Sequence, residues 1–129
     1  MFDVKGNWSN SGSFITGTGT VSFSGTASQT ITGTTTFNNL TINNPAGITG
    51  NSNLTVNGLL TLSSSNPDAT HGTLDMGNNT LNMLDPSAGI TGPGDLTGII
   101  RRAHVFTPNV SYQFGSQFTT VNFYGTGIL

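Results

Sequence analysis

The side chains of this 129-residue sequence most able to act as a catalytic acid, base or metal ligand are few and far apart. Enzymes that cleave polysaccharides need several carboxylates converging on a metal ion or on a glycosidic bond. No two aspartates here have the alternate spacing that would place them side by side on one strand. We therefore predict a chain that is not an enzyme, with no cofactor and no metal site. The candidates weighed are Asp68, Asp75, Asp85, Asp95, His71 and His104.

Asparagine supplies a second kind of candidate site. Five asparagines each begin an Asn-x-Ser/Thr triplet, the acceptor pattern for N-glycosylation. Several lie at predicted turns, where a sugar could reach solvent. Chance also produces such triplets in a chain rich in Asn and Thr, so both interpretations stay open. These residues are Asn7, Asn39, Asn53, Asn78 and Asn109.

The composition restricts the elements that could position these side chains. Charged residues make up 6% of the chain, cysteine is absent and the formal net charge is −2. With three cationic side chains there is no basic patch for nucleic acid, and no apolar run is long enough to insert into a membrane. Threonine and β-branched residues favour strands, and Gly and Asn favour turns. The chain is predicted to be all-β.

A repeat of about 20 residues predicts how the strands are arranged. Apolar-x-apolar pairs recur in two interleaved series, and the step from the first series to the second is 14 residues in three coils. Alternate residues of a strand point the same way, so each pair marks a strand with its apolar side inward. The first series is Phe2/Val4, Val21/Phe23, Leu40/Ile42, Leu60/Leu62 and Leu81/Met83. The second is Phe14/Thr16, Thr35/Phe37, Leu54/Val56 and Leu74/Met76.

A third side of each coil is predicted to carry Ile31 and Ile48. Asn38, Asn57 and Asn78 lie at the predicted corners, either as an amide ladder between coils or as simple turn residues. We predict a parallel β-solenoid, as a right-handed β-helix, with coils of about 20 residues. A single coil buries too little to fold alone, so the coils must stack.

The repeat weakens towards the C-terminus. Residues 1–84 are predicted to form the solenoid coils, and residues 85–104, with two prolines, an irregular excursion. Residues 105–129 are rich in aromatic side chains. Tyr112-Gln113-Phe114 and Val121-Asn122-Phe123 alternate there as a hairpin or as a last, wider coil. This C-terminal β segment is predicted to continue or cap the solenoid.

Several runs of the sequence resemble the β-helical repeat regions of very large secreted surface proteins of Bacteroidota and related bacteria. The resemblance implies export, often by a type 9 system, although the C-terminal sorting domain typical of that route is absent from this sequence. A further run, from Gly98 to Gly115, is similar to a segment that follows such repeats. The runs that carry the resemblance are GNWSNSGSF at residues 6–14, GTGTVSFSG at 17–25, FNNLTINN at 37–44, NLTVNG at 53–58 and GTLDMGNNTL at 72–81.

These observations predict a structural component of an extracellular bacterial fibre, stalk or surface layer, located outside the cell or on its surface. One alternative is a carbohydrate- or surface-binding adhesin, which would need exposed aromatic side chains on one face, and a further one is a polysaccharide-active β-helix enzyme. Phe2 and Val4 already occupy a first-series strand, and Gly127-Ile128-Leu129 shows no capping pattern. We therefore expect two uncapped ends, and either end-to-end self-association or continuation in a longer chain. Glycans are a further possible partner.

Overall fold

The computed structural model describes residues 1–63, 72–105 and 107–124. Within these residues the protein is all-β, without a helix, and its parallel strands form a β-solenoid of about 5 turns with coils of about 19 residues. The predicted fold class is therefore confirmed. The strands are β1 (Phe2–Val4), β2 (Trp8–Ser9), β3 (Thr20–Phe23), β4 (Gln29–Thr32), β5 (Thr35–Phe37), β6 (Asn39–Ile42), β7 (Ile48–Gly50), β8 (Leu54–Val56), β9 (Leu59–Leu62), β10 (Leu74–Met83), β11 (Gly89–Thr91), β12 (Leu96–Arg102), β13 (Ser111–Phe114) and β14 (Ser116–Asn122).

The first side of the solenoid, face A, is a five-stranded parallel sheet in the order β1-β3-β6-β9-β11. Its register runs from Val21 to Leu40, from Leu40 to Leu60 and from Leu60 to Ile90. These side chains are all buried, each above its counterpart in the next coil. The residues that alternate with them follow the same register, with Asp3 in β1 beside Ser22 in β3 and then a row of threonines, Thr41, Thr61 and Thr91.

The other two sides share the long strands β10 and β12. Face B consists of β2, β4, β7 and the first parts of β10 and β12, and face C consists of β5, β8 and their second parts. Gly77 and Gly98 lie where β10 and β12 pass from one face to the other, with φ of 51° and 102°. A Cβ atom on Gly98 would meet the backbone of Gly77 at 3.0 Å. Glycine therefore allows both the left-handed corner and the close approach of the two coils.

The register of the fourth coil differs from the predicted one. Leu74 pairs with Ile48 on face B, and Leu81 pairs with Leu54 on face C. The prediction that Leu74/Met76 continues the second series, and Leu81/Met83 the first, is therefore wrong. The connection from face A to face B, between Leu62 and Leu74, is longer than the same connection in the earlier coils. Leu74 therefore lies on face B, although the average repeat spacing had placed it on face C.

The segment 85–104 is also more regular than the sequence suggested. It contains β11, which pairs with β9, and β12, which pairs with β10 over both faces. These strands form the last coil. The prolines lie outside β11 and β12, so the missing N–H groups of Pro86 and Pro93 interrupt neither strand.

The hydrophobic core is one continuous stack inside the coils. The eight residues predicted to form it are all fully buried, and the predicted third side is confirmed because Ile31 and Ile48 are buried on face B. Burial of large apolar side chains between successive layers is the main force that holds such a stack together. The eight are Leu40, Ile42, Leu54, Val56, Leu60, Leu62, Leu74 and Met76.

One corner of the core is polar. The buried Gln29 side chain accepts hydrogen bonds at Oε1 from the Gly25 N–H and from Asn44 Nδ2, at 3.0 and 2.9 Å. Its Nε2 donates to the carbonyl oxygen of Val4 at 3.1 Å. Because each buried amide group finds partners, this corner joins the first three coils without an unsatisfied polar group on Gln29.

Candidate functional site

The aspartates that the structure describes in the second half of the chain each accept at least one hydrogen bond. Asp75 accepts bonds from the Gly77 N–H and from Thr97 Oγ1, both at 2.9 Å, and these bonds hold its pKa below the ordinary value. Asp95 accepts a hydrogen bond from the Leu96 N–H. Asp75 pairs with Thr49 and Thr97 in the neighbouring coils, where the sequence had placed Thr55. Asp75 therefore lies on face B, in the register that the structure shows for β10.

Asp85 belongs to a turn. Its Oδ1 accepts hydrogen bonds from both the hydroxyl and the backbone N–H of Ser87, which lower the pKa of the carboxyl group. In the part of the chain that the structure describes, no three His, Cys, Asp or Glu side chains come together in a group that could hold a metal ion. Asp68 and His71 lie outside the described residues.

His104 lies at the C-terminal end of the solenoid. Its ring packs against that of Tyr112, with the centroids 4.9 Å apart. Burial and the positive charge of Arg102 lower the pKa of the imidazole. The histidine therefore belongs to the packing between the last coil and the C-terminal strands.

Three of the five glycosylation candidates have a structural role at the corners. The side-chain oxygens of Asn7, Asn39 and Asn53 accept hydrogen bonds from backbone N–H groups of the next coil, at 3.0, 2.8 and 2.8 Å. Their donors are Thr30, Leu59 and Thr80. Each of these asparagines comes directly before an apolar core residue and an outward Ser or Thr, which also spells the acceptor triplet.

The amide bonds between coils are therefore made by a different set of asparagines from the one predicted. Asn57 and Asn78 are exposed, and Asn38 is half-buried. The signal that could have found Asn39 and Asn53 is their position immediately before an apolar-x-apolar pair, whereas Asn7 precedes Trp8 alone. Asn109, the fifth glycosylation candidate, is exposed with a φ of 63° in the turn before β13. Glycosylation of these five residues stays a prediction.

The N-terminal end of the solenoid carries an aromatic cluster around the only tryptophan. The Trp8 ring contacts four phenylalanine rings at centroid distances of 4.7 to 6.4 Å, and its Nε1 donates a hydrogen bond to Thr35 Oγ1 at 3.2 Å. Trp8 is thus part of the first core layer rather than a free binding platform. The four rings are those of Phe2, Phe14, Phe23 and Phe37.

On face A the first layer of the described residues is more exposed than the last. Phe2, in the first layer of face A, is 58% exposed, whereas Ile90, in the last layer of the same face, is 3% exposed. An apolar groove of about 290 Å³ opens beside β1. Its lining consists of Met1, Phe2, Phe14, Ile15, Thr16, Gly19, Thr20 and Val21.

The C-terminal end is covered by an antiparallel hairpin. Strands β13 and β14 pair with each other, from Ser111 opposite Asn122 to Gln113 opposite Thr120. Arg102 in the last coil donates hydrogen bonds to the carbonyl oxygens of Gln113 and Ala88, at 2.8 and 2.5 Å. The expectation of an uncapped C-terminal end is therefore wrong for the described residues, because this hairpin lies against the last coil.

Comparisons with protein families, with curated proteins and with solved structures gave no match to this chain. Among the described residues there is no helix long and apolar enough to cross a membrane. The parallel β-solenoid and the row of outward threonines on face A are the features that bear on its function.

Proposed function

We propose that this chain is a structural, non-catalytic part of an extracellular bacterial fibre, stalk or surface layer. The observation that carries the proposal is the uninterrupted stack of face A, in which Val21, Leu40, Leu60 and Ile90 follow one another through four coils. All the inter-strand hydrogen bonds of such a stack run along the solenoid axis, at a rise of about 4.8 Å per coil. Stretching the solenoid would require breaking them together, which makes it a stiff spacer.

The outer surface of face A supports the same role. Thr41, Thr61 and Thr91 lie in a row along it. Hydroxyl groups can bond to water without adding net charge, so the surface can remain in contact with solvent as coils are added. The resemblance of the repeats to secreted surface proteins is consistent with a place outside the cell.

The adhesin alternative needs aromatic rings gathered on one accessible face. Trp8 is committed to the core, and the exposed aromatic side chains of the described residues lie at opposite ends of the molecule, Phe2 at one end and Phe114 and Tyr124 at the other. They do not form one flat platform. The structural role is therefore the function we favour.

The test is the location of the protein in intact producing cells. Antibodies raised against the purified chain, detected by immunogold electron microscopy without permeabilisation, should label fibres or a layer outside the outer boundary of the cell. Cells permeabilised before labelling provide the control for total protein. Label that appears only after permeabilisation would overturn the proposal.

A further inference from the structure

We propose that the contact between the last coil and the hairpin of β13 and β14 is acid-sensitive, so that protonation of His104 releases the hairpin from the solenoid. The inference concerns a contact within one chain and does not depend on the proposed function. It rests on three observations: the groups that Arg102 binds, the position of His104 beside it, and the pairing of the two hairpin strands.

The positive charge of Arg102 lies at this contact. Among the described residues it is met by carbonyl oxygens, those of Gln113 in β13 and of Ala88, at 2.8 and 2.5 Å, rather than by a carboxylate. Its Nε atom is buried and has no acceptor in the same part of the chain. Because water is partly excluded here, a second positive charge near Arg102 is repelled more strongly than at an exposed surface.

His104 is the side chain that brings a second charge to this contact. It follows Arg102 by two residues and is half-buried. Its ring packs against that of Tyr112 in β13, with the centroids 4.9 Å apart. The Tyr112 hydroxyl in turn donates a hydrogen bond to the carbonyl oxygen of Val105 at 3.2 Å. The neutral imidazole therefore packs between the last coil and the hairpin.

The groups around this histidine do not themselves change charge in mildly acidic solution. Among the described residues, the charged and titratable side chains that face it are Arg102 from β12 and Tyr112 from β13. The neighbouring strands β11 and β14 contain no titratable side chain. Histidine ordinarily titrates between neutral and mildly acidic pH, so the charge at this contact changes through His104.

Protonation acts against the attached hairpin. Burial and the positive charge of Arg102 hold the pKa of His104 below the ordinary value of about 6.5. When the hairpin is released, the imidazole regains water and its pKa returns towards that value. The released state therefore binds a proton more readily than the attached state. The contact is complete above a pH of about 6.5 and weakens as the pH falls below it.

The hairpin has little stability of its own once released. Among the described residues, β13 and β14 form a separate two-stranded sheet and pair with each other alone. A two-stranded hairpin without further packing is marginally stable in water. Release therefore opens the backbone N–H groups of both strands to exchange, whereas the stacked coils keep their protection.

Hydrogen–deuterium exchange at two pH values tests the inference. Protection factors, which correct for the pH dependence of the intrinsic exchange rate, should fall at least about threefold in β13 and β14 between pH of about 7.5 and about 5.5. They should not change in β6 and β9. H104Q keeps an uncharged polar side chain at both pH values, so its hairpin should show no such fall. H71Q makes the same substitution at the other histidine of the chain and is the matched control, which should respond to pH as the parent does.

Nuclear magnetic resonance titration of the parent tests the same link without a substitution at His104, and decides the case if H104Q alone loosens the hairpin at neutral pH. The ring protons of His104, assigned by comparison with H71Q, should titrate below the ordinary value of about 6.5. The amide resonance of Gly115, between the two hairpin strands, should shift with the same midpoint. Hairpin protection that does not change with pH, a response that persists in H104Q or disappears in H71Q, or different midpoints for His104 and Gly115 would each overturn the inference.

Discussion

Arg102 donates a hydrogen bond from Nη1 to the carbonyl oxygen of Gln113, 2.8 Å away, and so ties the C-terminal hairpin to the last coil. The guanidinium group is half-buried, and the loss of hydration lowers its pKa. A second bond, to the carbonyl oxygen of Ala88, holds the same side chain to the solenoid. One residue therefore connects the parallel strands of the last coil to the antiparallel hairpin.

Arg102→Ala should release the hairpin from the solenoid. Hydrogen bonds from a charged donor contribute roughly 1.5–3 kcal/mol, and the variant loses two of them. Hydrogen–deuterium exchange should become faster in β13 and β14 and remain slow in β6 and β9. Arg101→Ala, at the exposed neighbouring position, is the control and should change stability by less than about 0.5 kcal/mol. Equal protection of the hairpin in both variants would contradict this assignment.

Leu60 and Leu59 are adjacent but face opposite ways. Leu60 is 0% exposed between Leu40 and Ile90, whereas Leu59 is 44% exposed. Leu60→Ala should lower the free energy of unfolding by about 2–5 kcal/mol, since it leaves a cavity between two layers. Leu60→Asp should be more damaging, because it buries a charge. Chemical denaturation measures both, with Leu59→Ala as the control; similar losses for Leu60→Ala and Leu59→Ala would show that the register is wrong.

The corner role of Asn39 can be separated from simple turn formation. Its side-chain oxygen accepts the N–H of Leu59 in the next coil at 2.8 Å, whereas Asn57 has an exposed side chain at the following corner. Asn39→Ala should destabilise the protein by about 0.5–1.5 kcal/mol, because it removes one exposed hydrogen bond between two coils. Asn57→Ala should have a clearly smaller effect on the thermal unfolding midpoint. A larger effect for Asn57→Ala than for Asn39→Ala would support Asn57, the originally predicted residue, as the one that bonds to the next coil.

Acid should weaken the contact between the last two coils on face B. The carboxylate of Asp75 accepts hydrogen bonds from Thr97 and Gly77, and its pKa is lowered in the folded protein. The unfolded chain therefore binds a proton more readily, so the stabilisation is present at neutral pH and is lost as the pH falls below about 4. Unfolding curves of the parent should show this loss.

Thr97→Val removes one of the two bonds to Asp75 and provides the matched comparison. Its stability should fall less steeply than that of the parent below about pH 4, because the folded carboxyl group then has a more ordinary pKa. Asp75→Asn removes the titrating group itself. Of the three proteins, it should lose the least stability as the pH falls through this window. Parallel pH profiles for the three proteins would exclude a role of this carboxylate.

The sequence was sufficient to predict the fold class and most of the core. Alternation fixes which residues point inward, so the burial of Leu54 and Leu74 could be predicted without knowing their neighbours. It cannot fix which side of a coil a strand occupies, because an apolar-x-apolar pair fits all three faces equally well. Because the connection before Leu74 is long, the pairs Leu74/Met76 and Leu81/Met83 each lie one face away from the predicted one. All four side chains still point inward, as predicted.

The two ends were harder to predict than the middle. The alternation of Tyr112 and Phe114 suits a hairpin as well as a coil, and the bonds from Arg102 to backbone carbonyl groups leave no pattern in the sequence. The corner prediction named Asn38 rather than Asn39, and the sequence of this Asn-Asn turn does not show which side chain reaches the Leu59 N–H of the next coil. Such choices depend on contacts between residues far apart in the chain, which local spacing does not record.

The stacking of Val21, Leu40 and Leu60 has a consequence for how the protein folds. Each new coil closes a loop of about 19 residues, whatever the number of coils already formed, so the entropic penalty of adding one does not grow with the length of the stack. Contacts of this kind let folding begin in one pair of coils and spread to the next. A longer relative of this solenoid should therefore add each further coil about as readily as the one before.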